Sequence, residues 1–283
     1  MFREKVLEKS FLLIALSSIS ILALIAFFIF QQGIPLMWKV GPNSFLLGDR
    51  WFPSKESFGI FPMIVGSFWV TLGSLVVGVP LGVACAIFLC ELTPPAIAMV
   101  LRPMIQLLAA IPSVIYGFWG LIVLVPIIRD SLGGPGLSIL AGSLVLGIMI
   151  LPTIISIAED SLRALPRSYK EGALSLGATH WQTIWRVLLP AARSGIASSV
   201  ILGMGRAIGE TMAMIMILGN AAQMPHSILD SARTLTTNIG IEMGYASGDH
   251  RQALFATGVV LFFIIMALNS LALFISRKGR ARG

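Results

Sequence analysis

The run Phe61-Pro-Met-Ile-Val-Gly-Ser-Phe-Trp-Val-Thr-Leu-Gly-Ser-Leu-Val-Val-Gly-Val-Pro-Leu-Gly-Val-Ala-Cys-Ala-Ile-Phe-Leu-Cys90 contains no charged residue in 30 positions. A helix needs about 20 predominantly apolar residues to cross the hydrocarbon core of a bilayer. This stretch therefore reads as a membrane-spanning helix. Five further stretches meet the same length: 11–30, 104–128, 137–157, 196–219 and 253–275. The expectation is an all-α integral membrane protein with six transmembrane helices, whose connecting segments are too short to fold as domains. It divides into an N-terminal segment 1–10, a first span 11–30, a loop 31–60 and a core 61–283 of five spans, with a long loop 158–195 inside that core.

Composition supports this reading. Of 283 residues, 56% are apolar and 12% charged, with a mean hydropathy of +0.90. Soluble domains carry about 25% charged residues, so lipid has to cover much of this surface. The net charge of +7 invites a nucleic-acid reading until the charges are sorted by side. With both termini cytoplasmic, the inner segments carry 13 Lys and Arg and the outer segments six. The positive-inside rule then orients the chain and accounts for the whole excess. Arg3, Lys5 and Lys9 precede the first span like the n-region of a signal peptide. The apolar run that follows is too long for one, and no small-x-small cleavage site comes after it.

Only two cysteines occur, Cys85 and Cys90, and both lie in one apolar run, so a disulfide scaffold and a four-thiolate zinc site are excluded. His180, His226 and His250 lack metal-ligand spacing. No G-x-x-x-x-G-K-[ST] phosphate loop occurs, so ATP hydrolysis by that route is absent from this chain. No nucleophile and base pairing stands out, and the chain reads as a non-enzyme.

Pro80, Pro112, Pro126 and Pro152 interrupt the spans, as suits helices that kink around a cavity. Gly203-Met-Gly205-Arg-Ala-Ile-Gly209 has the wrong spacing and context for a nucleotide fingerprint and reads as small-residue helix packing. Arg206 and Glu210 carry more information, because an ionisable side chain at mid-span costs about 2.5–3.5 kcal/mol on insertion scales and marks a functional site. Four residues apart in a helix, they share one face. The arginine fork suits an oxyanion. A self-satisfied ion pair that fixes packing is the alternative.

In the loop 158–195, Ser168-Tyr-Lys-Glu171 and Thr179-His-Trp-Gln182 read as capping boxes, and Gly177 as a stop between two short helices. The first of these helices would offer Ala173, Leu174 and Leu176 to a cytoplasmic partner. The outer loop, with Trp38 and Trp51, suits an interfacial segment facing an external protein.

Glu171-Gly-Ala-Leu-Ser-Leu-Gly177, nine residues, then Val187-Leu-Leu-Pro190 resembles the EAA loop of ABC importer permeases, E-A-A-x3-G-x9-I-x-L-P. Gly172 stands for the second-position alanine and Val187 for the isoleucine. Gly205-Arg-Ala-Ile-Gly-Glu-Thr-Met-Ala213 and Leu218-Gly-Asn220 are similar to the PstC-type permease subunit of phosphate importers. So are Ala232-Arg-Thr-Leu-Thr-Thr-Asn-Ile-Gly-Ile-Glu-Met-Gly244 and Ala109-Ala-Ile-Pro-Ser-Val-Ile-Tyr-Gly117. The resemblance implies the type I ABC importer permease fold in a bacterial inner membrane. It also implies a coupling helix that docks on an ATPase through Glu171, Gly172, Ala173, Gly177 and Pro190, and a phosphate path at Arg206, Glu210 and Thr211. The implied partners are a PstA-type permease, a PstB-type ATPase dimer that binds the ATP and magnesium, and a PstS-type phosphate-binding protein. A permease for sulfate, molybdate or phosphonate is the nearest alternative, and a secondary transporter, which would show inverted repeats, a more distant one.

Overall fold

A computed structural model of the chain describes residues 2–280. Arg282, counted above among the inner charges, lies outside them, as do the side chains of Arg3, Lys5, Arg277, Lys278 and Arg280. Thirteen helices run in order: α1 (Phe2–Val40), α2 (Pro42–Leu47), α3 (Phe61–Ile87), α4 (Pro95–Ala110), α5 (Ser113–Trp119), α6 (Val125–Leu132), α7 (Ile139–Arg163), α8 (Arg167–Ser175), α9 (His180–Thr183), α10 (Leu189–Gly209), α11 (Met212–Ile217), α12 (Leu235–Glu242) and α13 (Gly248–Arg280). A small antiparallel hairpin, β1 (Trp51–Phe52) and β2 (Ser57–Phe58), pairs Trp51 with Phe58.

Six helical segments are long and apolar enough to cross a membrane: Leu7–Val40, Phe61–Leu92, Ser113–Leu132, Ile139–Arg163, His180–Gly209 and Gly248–Ser270. The central one is α7, with 67% of its most apolar window buried, against 0% for α1. Helices α3 and α7 pack face to face because Gly78 and Gly82 of α3 admit Ile150 and Ile154 of α7; a Cβ at either glycine would lie 2.7–2.8 Å from those side chains. Such small-residue contacts are the usual way to bring helices close in lipid. Around them a core of Val70, Val145, Leu146, Met149, Ile150, Ile154, Met214 and Ile217 fills the middle of the bundle.

Three of the expected spans change shape. The first continues to Val40, so the far loop begins at 41 rather than 31; Leu36 is buried, and Gly33 lies hard against the backbone of Ala256 in α13. The third is broken rather than kinked. Pro112 excludes the α conformation from the residue before it, Ile111 is extended, and α4 ends at Ala110 before α5 restarts at Ser113. The fifth breaks after Gly209: Glu210 is extended at ψ 129° and α11 restarts at Met212.

Pro80 and Pro152 sit inside unbroken helices. Three other prolines accompany a regularity. Wide π-type turns occupy Phe88–Leu92, Gly120–Leu124 and Ile184–Leu188, and each ends two residues before a proline: Pro94, Pro126 or Pro190. Proline lacks the N–H that would bond to the carbonyl four residues back, and its ring presses on that carbonyl. One added residue in the preceding turn moves the carbonyl aside; the helix then continues through Pro126 and Pro190, whereas before Pro94 it stops at the extended Thr93.

Every ion pair among the described residues joins side chains that the sequence assigns to the same side. At the end where the chain starts and finishes these are Arg102 and Arg163 with Glu159 and Lys170 with Glu91; at the far end they are Lys39 with Asp249, Arg50 with Asp49, Arg129 with Asp130, and Arg233 and His250 with Glu242.

Candidate functional site

Arg206 sits one turn before the break in the fifth span. Its guanidinium makes no hydrogen bond or ion pair among the described residues, and it lies within electrostatic reach of the Tyr116 hydroxyl on α5. Glu210 is not on the arginine's helical face, because the helix ends between them. Its carboxylate instead turns forward, and Oε1 accepts from the Ala213 backbone N–H at 3.1 Å, capping α11. The self-satisfied Arg206–Glu210 pair is therefore absent. Oε2 of Glu210 has no partner among the described residues. Thr211, at the N-cap of α11, makes no side-chain cap and donates its hydroxyl to the Gly209 carbonyl at 3.2 Å.

A helix broken within an apolar span frees carbonyls from their helical partners, and each needs another. Besides Gly209, the Glu210 carbonyl accepts from Thr236 Oγ1 at 3.0 Å and the Ile215 carbonyl from Asn220 Nδ2 at 2.6 Å. Beyond α11, Ser138 N–H donates to the Ile217 carbonyl and Ala232 N–H to that of Leu218. At the other break, Tyr116 Oη reaches back across Pro112 to the Leu108 carbonyl at 2.9 Å. Of the glycines beside Arg206, only Gly203 packs closely, against Ile154; a Cβ at Gly205 or Gly209 would meet nothing within 4 Å. The small-residue packing expected of this segment thus holds for Gly203 alone. The other two glycines leave open space beside the arginine.

The opposite end of the same span carries the loop 158–195. Pro190 lies about 24 Å down the helix from Arg206 at 1.5 Å per residue. Helix α8 has no buried residue, and Leu176 at its end is 90% exposed. Glu171 and Gly172 are exposed, Ala173 is half-buried and Pro190 is exposed. Lys170 ties the helix to the bundle through Glu91 of the turn after α3, at 2.6 Å. The expected capping box at Ser168 is not formed, because α8 starts at Arg167 behind Pro166 and Ser168 is already inside it. The second box is formed: Thr179 Oγ1 accepts from Gln182 N–H at 3.2 Å and Gln182 Oε1 accepts from Thr179 N–H at 2.9 Å. Between them Gly177 takes φ +82°, with Ala178 N–H bonded to the Ala173 carbonyl and Gly177 N–H to that of Leu174. This crossed pair is the Schellman arrangement.

Residues 78–280 match the family described as binding-protein-dependent transport system inner membrane component. The chain belongs to that family. It is 46% identical over 242 residues to the probable ABC transporter permease protein YqgH of Bacillus subtilis strain 168, spanning 82% of this chain and 78% of the relative. To the phosphate transport system permease protein PstC of Haemophilus influenzae it is 38% identical over 263 residues, 85% of this chain and 83% of the relative. Among solved structures, a bacterial alginate ABC transporter in complex with an alginate pentasaccharide-bound periplasmic protein superposes with TM-score 0.64 at 18% identity, over 97% of this chain and 96% of that one. The inward-facing MetNI methionine ABC transporter superposes with TM-score 0.58 at 20% identity, over 78% and 94%. The fold of this inner membrane component is that of type I ABC importer permeases.

The same inner membrane component holds a polar cluster that the sequence does not announce. Glu242, at the end of α12, is 6% exposed. Its Oε1 accepts from Arg233 Nη1 at 2.7 Å, and its Oε2 lies 2.8 Å from both Trp51 Nε1 and His250 Nε2. Arg233 also donates to the Asn220 carbonyl and to Asn238 Oδ1. Trp51, expected at an interface, is 5% exposed and buried in this cluster, whereas Trp38 is 73% exposed. The capping-box pattern Thr234-x-x-Thr237, which α12 forms, is the one signal in the sequence that could have revealed this helix.

Proposed function

We infer that this chain is the membrane-spanning permease subunit of an ATP-driven phosphate importer in a bacterial inner membrane, with both termini cytoplasmic. The observation that carries the reading is Arg206, whose guanidinium pairs with no carboxylate among the described residues and sits beside a break in its own helix. An uncompensated charge held in a membrane protein is costly, and an arginine kept that way is suited to an anion that arrives and leaves. Relatives named as phosphate transport permeases, at 32–38% identity over most of the chain, support phosphate as that anion, and the bias of Lys and Arg supports the orientation.

Arg206 would balance the charge of phosphate in transit with its planar fork of donors. Glu210 Oε2 would accept a hydrogen bond from the proton of hydrogenphosphate. Sulfate, having no such proton near neutral pH, would be repelled by the same carboxylate. Thr211 would add a hydroxyl at the break. Energy would come from a PstB-type ATPase dimer, which binds ATP and magnesium; α8 and its neighbours Glu171, Gly172, Ala173, Gly177 and Pro190 would dock on it. A PstA-type permease would complete the path and a PstS-type binding protein would deliver phosphate from outside.

Uptake of radiolabelled phosphate by cells carrying Arg206→Gln or Glu210→Gln tests the site. We expect at least a tenfold loss in each, and in Glu210→Gln a rise in competition by sulfate. Near-normal uptake in both would reduce the two residues to packing.

A further inference from the structure

Helix α12 joins the break in the fifth span to the buried cluster at the far end. At one end, Thr236 Oγ1 donates to the Glu210 carbonyl at 3.0 Å and Leu235 N–H donates to Ser67 Oγ of α3 at 2.9 Å. Within the helix, Gly240 rides on Thr211 so closely that a Cβ would lie 2.8 Å from the threonine methyl. At the other end, the Glu242 carboxylate gathers Arg233 from just before the helix, His250 of α13 and, from far away in sequence, Trp51 of the far loop. The rings of Trp51 and Tyr245 flank His250 with centroids 6.2 and 5.9 Å away.

We propose that Thr236 is a positioning residue for the Glu210 carboxylate, and that α12, fixed at its other end by the Glu242 cluster, is a strut that carries displacement between the far face and the break at Gly209–Thr211. This rests on the reading that Arg206 and Glu210 line the substrate path. The Glu210 carbonyl and carboxylate belong to one residue held at two points, the carbonyl by Thr236 and Oε1 by Ala213 N–H. If the first hold is lost, the 210–211 peptide turns freely to find another donor, and the carboxylate moves with it. Translation of α12 along its axis does the same through Thr236 and through the contact of Gly240 with Thr211. The far end of α12 is set by a carboxylate held by Arg233, just before the helix, and by Trp51 and His250 on the loop and helix nearest the far surface, so a partner that shifts the 51–58 hairpin or the start of α13 shifts Glu242 first.

The test uses the complete transporter in membranes, with phosphate uptake and ATP hydrolysis measured together. Thr236→Val, isosteric but without the donor, should lower phosphate moved per ATP hydrolysed at least fivefold while the thermal stability of the complex stays as in the parent. Thr236→Ser should return it to within twofold. Glu242→Gln should lower the same ratio, and the double variant with Thr236→Val should be within twofold of the worse single variant, because both act through one strut. Trp51→Phe, which removes one donor to Glu242, replaces Glu242→Gln if that complex does not assemble. Normal coupling in Thr236→Val, a Thr236→Ser as impaired as Thr236→Val, or multiplying losses in the double variant would each overturn the proposal. Glu210→Gln, run alongside, separates the two readings. If it transports normally, the path assignment itself fails. If it does not while Thr236→Val does, the strut alone fails.

Discussion

Substitutions at Gly177 should rank by backbone preference and not by side-chain size. The residue sits at φ +82°, and a Cβ there would meet no atom within 4 Å, so nothing in this chain resists added bulk. What resists is the left-handed backbone, which costs an L-residue about 1–2 kcal/mol. The turn is closed by two hydrogen bonds, Ala178 N–H to the Ala173 carbonyl at 3.1 Å and Gly177 N–H to that of Leu174 at 3.0 Å. Each contributes about 0.5–1.5 kcal/mol net, so the penalty of a Cβ is comparable to the whole local reserve. In Gly177→Ala the opened turn should become about 5–30-fold more populated, and α8 would lose its aim in a large share of molecules. Asparagine tolerates this backbone region through local hydrogen bonding, so Gly177→Asn should be milder although it is larger. Gly177→Val should be the most damaging, being β-branched at positive φ. The assay is phosphate taken up per ATP hydrolysed, together with the rate of proteolytic cutting at 176–179. A Gly177→Asn more damaging than Gly177→Ala would refute the reasoning, and would mean that the residue is packed against a partner rather than shaped as a turn.

Gly78→Leu should destabilise the bundle by about 1–3 kcal/mol through overpacking, since a Cβ at that position already lies 2.8 Å from the Ile150 side chain and 3.0 Å from the Gly147 carbonyl; denaturant unfolding in detergent reads this, and an unchanged midpoint would contradict it. At the far surface, the backbone N–H groups of His226 and Ser227 both donate to Asp230 Oδ2 at 2.8 Å and hold its carboxyl below its ordinary value of 3.8. A depressed carboxyl pKa contributes its stability above the unfolded value and loses it as pH falls through the folded one. Protection of the His226 and Ser227 amides, taken as exchange relative to an unstructured amide at the same pH, should therefore hold at neutral pH and be lost only below the ordinary carboxylate range, whereas Asp230→Ala should show no such protection at any pH.

Much of the fold was legible because apolar run length and charge bias are direct consequences of the lipid solvent. The six spans and the division of charges between two sides come straight from them. The breaks were not. Pro112 was visible as an interruption, but whether a proline kinks or ends a helix depends on whether neighbours can take the freed carbonyls, and Tyr116 supplies that eight residues from its acceptor. Glu210 drew attention as a charge in an apolar run, and a helical reading put it on the face of Arg206. It caps α11 instead, and the residues that touch the break, Thr236 at the Glu210 carbonyl and Gly240 at Thr211, lie beyond a long loop. The Glu242 cluster was the least legible part, since its members run from Trp51 to His250 and no local period connects them.

The contact between α1 and α13 bears on how the protein is made. Phe28 meets Phe255, and Phe30 meets Phe262 and Phe263, edge to face, whereas Phe11 to Ile25 remain largely exposed. Apart from Leu36, which packs with Phe45, Ile60 and Met63, helix α1 therefore gains its main neighbour only once α13 has been made. Until then it has to persist in the bilayer on its own hydrophobicity, which its 34-residue apolar segment supplies. Pairing α1 with α13 closes a contact between segments distant in sequence, a non-local step of the kind that folds slowly. Substitutions that weaken the α1–α13 seam should accordingly be felt first as poor yield of the finished bundle, before any defect in the bundle's working is seen.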